Sequence, residues 1–166
     1  MNDLVVTADG FCTLGSRRFR CALGSGGIVA EKREGDGGTP VGSWPLRRLL
    51  YRPDRLDAPR CALPVAAIAR QDGWCDDPAH ADYNRPVTLP FAASHEEMWR
   101  DDHLYDLVVV VGHNDDPPVP GAGSAIFLHL AREDWGPTAG CVAFTRADFL
   151  EILAAIDSKS RLVVEG

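Results

Sequence analysis

The sequence predicts a mainly β, β-rich α+β domain: a mixed sandwich or barrel-like sheet packed by one principal helix and one short helix. Three observations carry that expectation. Short apolar runs recur between Gly, Pro and Asp turn residues. Two of them, Leu107 to Val111 and Ile126 to Leu130, are apolar on both faces, as strands in the middle of a covered sheet are. Only one long segment, 146–156, carries an apolar stripe at helical spacing. The 166 residues, 45% of them hydrophobic, suit one domain spanning 1–166 with a substantial core.

The elements follow in order. Residues 4–7, 10–14 and 17–23 read as a β-meander turning at Asp9-Gly10 and Gly15-Ser16. Gly24-Ser25-Gly26-Gly27 is a sharp loop. It lacks a Gly-Lys-Ser/Thr and a following helix, so it is not read as a phosphate cradle. Lys32 to Trp44 contains Gly35, Gly37, Gly38 and Pro40 and reads as a tight turn between strands, with no chemistry of its own. Strands are expected at 44–52 and 64–70, with a Pro-punctuated loop at 53–64. Residues 72–87 read as irregular chain over a cleft, in which Tyr83 and Arg85 can meet a peptide or a carboxylate. His80 with Asp76 and Asp77 matches no metal-ligand spacing. Residues 94–101 predict the short helix, with Ser94 as cap and Glu97 at the capping-box position. The strand 107–111 ends in Gly112-His113-Asn114, and a Pro/Gly loop, 117–123, leads into the strand that carries His129 near its end. Thr145 caps the principal helix, with Asp148 at its third position and Phe149, Leu150, Ile152, Leu153 and Ile156 as its core stripe. Residues 161–164 close the sheet.

The chemistry concentrates between Ser124 and Phe144. A strand end presents His129, and the chain then breaks at Gly136-Pro137 and turns through Thr138-Ala139-Gly140 into Cys141. A thiol nucleophile needs a nearby base and a loop that presents it. Gly140 has no side chain, so backbone N–H groups around Cys141 can approach a developing oxyanion. Taken singly, a Cys in an apolar run is more often a small core residue, and a His on a strand more often a satisfied structural group. The turn-rich run Trp135 to Cys141 raises the odds, because it places the thiol at a loop junction. His113 also ends a central strand. If both strand ends face one side, it lies near Cys141 as a second polar group for substrate; its structural alternative is a strand-end hydrogen bond.

Composition narrows the classes. A net charge of −7 weighs against nucleic acid and anionic membrane as partners, and no Lys/Arg cluster with interleaved aromatics occurs. No apolar run is long enough for a transmembrane helix. The first fifteen residues have neither a basic n-region nor an apolar h-region, so no signal peptide is read there. The cysteines are Cys12, Cys21, Cys61, Cys75 and Cys141, an odd set without CxxC, which weakens zinc-ribbon and thioredoxin readings. No cofactor and no metal are expected.

The motifs then resemble a known family. His129 at a strand end, with Thr138-Ala139-Gly140-Cys141 after it, resembles the active-site segment of the L,D-transpeptidase (YkuD-type) catalytic domain. Upstream, Glu34-Gly35-Asp36-Gly37-Gly38-Thr39-Pro40-Val41-Gly42 is similar to that family's Gly-Asp-Gly-x-Thr-Pro-x-Gly element. The resemblance covers roughly Gly26 to Phe144. It departs where many members have a second His (here Ala139) and an Asn or Arg two positions after the Cys (here Ala143), and in a shorter His-to-Cys gap. It implies the L,D-transpeptidase catalytic fold, a thioester on Cys141 with His129 as general base, crosslinking of diaminopimelate-containing peptidoglycan stem peptides, and acylation by carbapenems. Thr138, His113, Asn114, Tyr83, Arg85 and Trp135 are the expected substrate contacts. The implied place of action is the periplasm or cell envelope, with cytosolic action on wall fragments open because no signal is read. Three alternatives stand beside this: a carboxypeptidase or amidase with the same cysteine, a non-catalytic cell-wall peptide-binding domain, and, more weakly, a metal hydrolase using His113, His129 and Cys141.

Overall fold

The computed structural model describes residues 2–166. The chain opens as the expected meander: β1 (Leu4–Thr7), β2 (Phe11–Leu14) and β3 (Arg17–Arg20) pair antiparallel. A short parallel pair follows, β4 (Ile28–Val29) with β5 (Thr39–Pro40), and pins the base of the Gly/Thr/Pro loop. The long strand β6 (Gly42–Tyr51) is flanked by β7 (Val65–Ala67). A separate three-stranded sheet, ordered β10-β8-β9, is made by β8 (Asp72–Cys75), β9 (Pro86–Thr88) and β10 (His95–Glu97). Then come β11 (Leu107–Val111), β12 (Phe127–Leu130), β13 (Val142–Phe144), α1 (Arg146–Ala155) and β14 (Arg161–Val164).

The main sheet has nine strands, ordered β13-β12-β11-β6-β14-β1-β2-β3 with β7 beside β6. Its two ends meet. Just past β3, Ala22 exchanges backbone hydrogen bonds of 2.8 and 3.0 Å with Ala143 of β13. Few backbone groups are therefore left unpaired at the seam, and the sheet becomes a nearly closed barrel. The observed class is the predicted one: mostly β, with one helix.

β11 explains its own continuous Leu/Val run. Leu107, Val109 and Val111 face one core with Leu49, Leu128, Phe149, Ile152 and Leu153, while Val108 and Val110 face a second core with Trp74, Tyr105 and Phe127. A strand covered on both faces has no place for polar alternation. α1 covers the first core. Thr145 caps it, its hydroxyl accepting the Asp148 N–H at 3.3 Å, an arrangement worth about 1 kcal/mol. Leu150 departs from the expected stripe and is exposed. Among the described residues no helix is long and apolar enough to cross a membrane, and all five cysteines are thiols.

Two expectations are corrected. Residues 94–101 form no helix: His95, Glu96 and Glu97 pair antiparallel with Cys75, Trp74 and Gly73 of β8. The Ser94 hydroxyl donates to Asp76 at 2.6 Å instead of capping a helix. Residues 72–87 are likewise not all irregular, since β8 and β9 lie within them. In both cases cross-strand pairing and burial of Trp74 and Met98 outweigh a local capping signal worth about 1 kcal/mol.

Candidate active site

β12 and β13 run parallel, with Leu128 beside Val142, His129 beside Ala143 and Leu130 beside Phe144. Side chains alternate along a strand. Leu128, Leu130, Val142 and Phe144 therefore enter the helix-covered core, and Phe127, His129, Cys141 and Ala143 share the opposite face. That register puts His129 one strand over and two residues along from Cys141. Both line one cavity of about 210 Å³ together with Thr138, Tyr105 and Glu96.

His129 is buried, and its Nδ1 lies 2.9 Å from the Leu130 carbonyl oxygen. A carbonyl only accepts, so Nδ1 carries the proton and Nε2 keeps its lone pair. Burial pushes the imidazole down to about 4, against the Leu130 carbonyl; Arg100 and Arg132 add to the shift. The Tyr105 ring meets it edge-on, centroids 5.4 Å apart.

Cys141 is also buried. Its thiol donates to the Ala125 carbonyl at 3.2 Å and accepts the Phe127 N–H at 3.3 Å. Burial pushes it up to about 12, and the Glu96 carboxylate adds to that, while the Phe127 N–H and Lys32 oppose it. The resting pair is thus a neutral thiol beside a neutral imidazole. Ala125 presents its carbonyl from a left-handed backbone, φ 53°. It is held there by Asn84, whose side-chain oxygen accepts the Ala125 N–H at 2.9 Å and the Trp74 indole N–H at 3.0 Å. The Asn84 amide nitrogen donates to the carbonyls of His113 and Asn114.

The turn before Cys141 is fixed by two threonines and two glycines. The Thr138 hydroxyl donates to the Cys141 carbonyl at 2.7 Å and accepts the Gly140 N–H at 3.1 Å. The Thr39 hydroxyl donates to the Gly140 carbonyl at 2.9 Å and accepts the Gly24 N–H at 3.0 Å. Gly140 has φ +132°, and a Cβ there would lie 2.7 Å from the Gly38 carbonyl oxygen; a Cβ on Gly24 would strike the backbone of Gly37 and Gly140. The Gly/Thr/Pro element is therefore the mould of the Cys141 turn. The Gly140 N–H is spent on Thr138, so it does not point to substrate.

The other expected contacts lie elsewhere. β11 and β12 are antiparallel, with Val110 opposite Phe127. Hence His113 and His129 stand toward opposite ends of the pair, about five residues or roughly 16 Å of strand apart. His113 is buried against Trp44, ring centroids 4.7 Å apart, in a separate depression. Its Nδ1 has no partner among the described residues. Burial and Lys32 push it down to about 4, against Asp115. Asn114 spends its side chain on Val119 and Gly123 in the following loop. Tyr83 is buried, donating to Glu34 at 2.6 Å and accepting the Gly123 N–H at 3.0 Å. Arg85 is exposed on a depression behind the small sheet, beside Arg48 and Trp74. Trp135 lies under the Arg20 guanidinium, 4.2 Å from its ring centroid, facing a neighbouring depression. The structure therefore brings Cys141, His129 and Thr138 into one cavity, with Gly140 in the turn behind it, and sets His113, Asn114, Tyr83, Arg85 and Trp135 apart from that cavity. Among the described residues, no three His, Cys, Asp or Glu side chains are arranged to hold one metal ion.

Sequence reasoning missed Asn84, Tyr105 and Glu96. Glu96 was hidden inside the expected helix; a period-two reading of 94–98 would have set it apart from its neighbours.

Among solved structures, the helical cell shape determining protein Pgp2 from Campylobacter jejuni is similar at 15% identity with a TM-score of 0.47, over 98% of this chain and 46% of that one. This chain thus spans less than half of that protein's length. No curated protein matches. The family model for the L,D-transpeptidase catalytic domain, YkuD, matches residues 6–164, nearly the whole chain, and the chain belongs to that family.

Proposed function

We propose that this chain is a cysteine-dependent acyl transferase acting on peptidoglycan stem peptides in the cell envelope. The observation that carries the reading is the pairing on β12 and β13: a thiol and an Nε2-basic imidazole on one face, lining one cavity. Family membership supplies the reaction class and the expected substrate.

The steps follow from the two side chains. Substrate entry draws the thiol away from the Ala125 carbonyl, and His129 Nε2 takes its proton. Burial penalises both the free thiolate and the free imidazolium. Proton transfer therefore runs together with attack on the carbonyl, where the charge moves on to the substrate oxygen. With the Gly140 N–H committed to Thr138, the Cys141 N–H is the backbone donor for that oxyanion. The C–N bond breaks, and the leaving amine takes the proton from His129. An acceptor amine then attacks the thioester and gives its proton to His129; the C–S bond breaks, and the leaving sulfur takes that proton back from His129 to restore the thiol and the neutral imidazole. Water in place of the amine gives a trimmed stem.

Intact mass after incubation with disaccharide-peptide fragments, for wild type and Cys141→Ala, tests this. A crosslinked dimer and a covalent adduct that both need Cys141 are expected, and a carbapenem should add its mass at the same residue. Trimmed monomer alone selects hydrolysis. No adduct and no turnover in either protein leaves a peptide-binding domain.

A further inference from the structure

Glu96 is the middle residue of β10, and its side chain lines the cavity that holds Cys141 and His129. Two other carboxylates line it, Glu34 and Asp76. Among the described residues none of the three has a Lys or Arg within ion-pair distance. Of the three cations that line the cavity, Lys32 pairs with Asp36 and Arg100 with Asp102 at 2.6 Å, while Arg132 is exposed and pairs with no carboxylate among the described residues. Glu34 is spent on the hydroxyls of Tyr83 and Ser124, and Asp76 accepts the Ser94 hydroxyl. Glu96 accepts only the Tyr105 hydroxyl, at 3.2 and 3.3 Å to its two oxygens. The ring of that same tyrosine touches His129. One side chain therefore fixes the carboxylate relative to the base.

We propose that Glu96 is a charge gate on Cys141: it adds to the burial that holds the sulfur as a thiol in the empty cleft, and a cationic group of the incoming substrate, an ammonium, lifts that added restraint. The proposal rests on the reading of Cys141 as the nucleophile. The physical argument is the sign of the field. A carboxylate facing a buried sulfur opposes a second negative charge there. An ammonium paired with Glu96 removes that opposition at the moment a substrate is present. Charges facing Glu96 agree with the arrangement. Burial pushes its carboxyl up to about 7, against Tyr105 and Arg100, with Asp76 and Glu34 adding to the rise. At about pH 8 it is ionised and the gate is shut; below about pH 6 it is protonated and the restraint fades. Glu96 follows burial as the largest influence raising the Cys141 thiol, while the Phe127 N–H and Lys32 act the other way.

The test is the alkylation rate of Cys141 by iodoacetamide at about pH 8, in which the thiolate displaces iodide. It is read by peptide mass mapping, so that the other four thiols are separated. Glu96→Gln keeps the shape and a hydrogen bond to Tyr105, and should react about tenfold faster than wild type, one unit of thiol pKa. Ethylammonium should accelerate the wild type but not Glu96→Gln, and neutral ethanol should accelerate neither. A folded Glu96→Gln that reacts at the wild-type rate or slower overturns the proposal. So does a wild type indifferent to ethylammonium, and that arm needs no variant if Glu96→Gln fails to fold. Peptide turnover does not enter the readout. A chain inactive on stem peptides still reports the coupling, and an active chain with unchanged alkylation loses the gate but keeps the proposed function.

Discussion

His129 and His113 make an instructive pair. Both sit at or near the end of a buried central strand, both are held near pKa 4 mainly by burial, and neither is ion-paired. One shares a face and a cavity with a thiol; the other packs edge-on to Trp44 in a different depression. The difference is strand direction. β12 runs parallel to the strand that Cys141 introduces, so that register carries the imidazole into the cavity that the sulfur lines. β11 runs antiparallel to β12, so that the same residue type at the same kind of strand end is carried away. A perturbed titration therefore marks burial in both histidines and a candidate for chemistry in only one.

The widest separation should appear in turnover. His129→Ala is expected to lower acyl-enzyme formation about 10²- to 10⁴-fold, the usual contribution of a general base, while His113→Ala stays within a few-fold of wild type once folding is matched. Single-turnover adduct formation by mass spectrometry checks this, and equal losses would break the comparison. Next comes Gly140→Ala. A side chain at φ +132° and 2.7 Å from the Gly38 oxygen must shift the turn, costing about 3 kcal/mol and moving Cys141 away from His129. Chemical denaturation measures the loss. The His113 titration, followed by NMR, should be unchanged, because the Cys141 turn does not touch it.

The smallest effect treats the two histidines as equals. Each has its folded pKa below the unfolded value of 6.5, so between pH 6.5 and about 4 the unfolded chain binds more protons, and acidification destabilises. Glu96, raised to about 7 from 4.5, has the opposite sign over pH 4.5 to 7. Two histidines against one glutamate leave a net loss of about 2 kcal/mol between pH 6.5 and 5. His113→Asn should nearly flatten that slope. His129→Asn should do so equally, although only the second variant loses turnover.

Much of this was legible from local pattern. The double-faced Leu/Val run of β11, the meander, the capped helix after Thr145 and the turn into Cys141 are each encoded within a dozen residues; all appear close to their expected bounds, except that the third meander strand ends at Arg20, three residues early. The Gly/Thr/Pro element reads in sequence as a tight turn without chemistry of its own, and only the structure shows its contacts with Gly140 through Thr39 and Gly38. Ser94 to Asp101 misled because its spacing imitates a capping box, while the partner that overrules it, β8, lies some twenty residues upstream. Tyr83 and Arg85 were placed in one loop over one cleft. The small sheet instead buries the first and turns the second to its far side.

The sequence by itself determined the class of the fold, the thiol and imidazole as a pair worth testing, and the glycines that make the Cys141 turn possible, because those follow from side-chain periodicity and backbone freedom close along the chain. Tertiary structure alone decided which histidine shares a cavity with the sulfur, that the barrel closes through Ala22 and Ala143, that Asn84 holds the carbonyl on which the thiol rests, and that Glu96 lines the same cavity. Those depend on strand direction and on pairing between residues far apart in sequence, where the free energy comes from burial and hydrogen bonds that no local pattern contains.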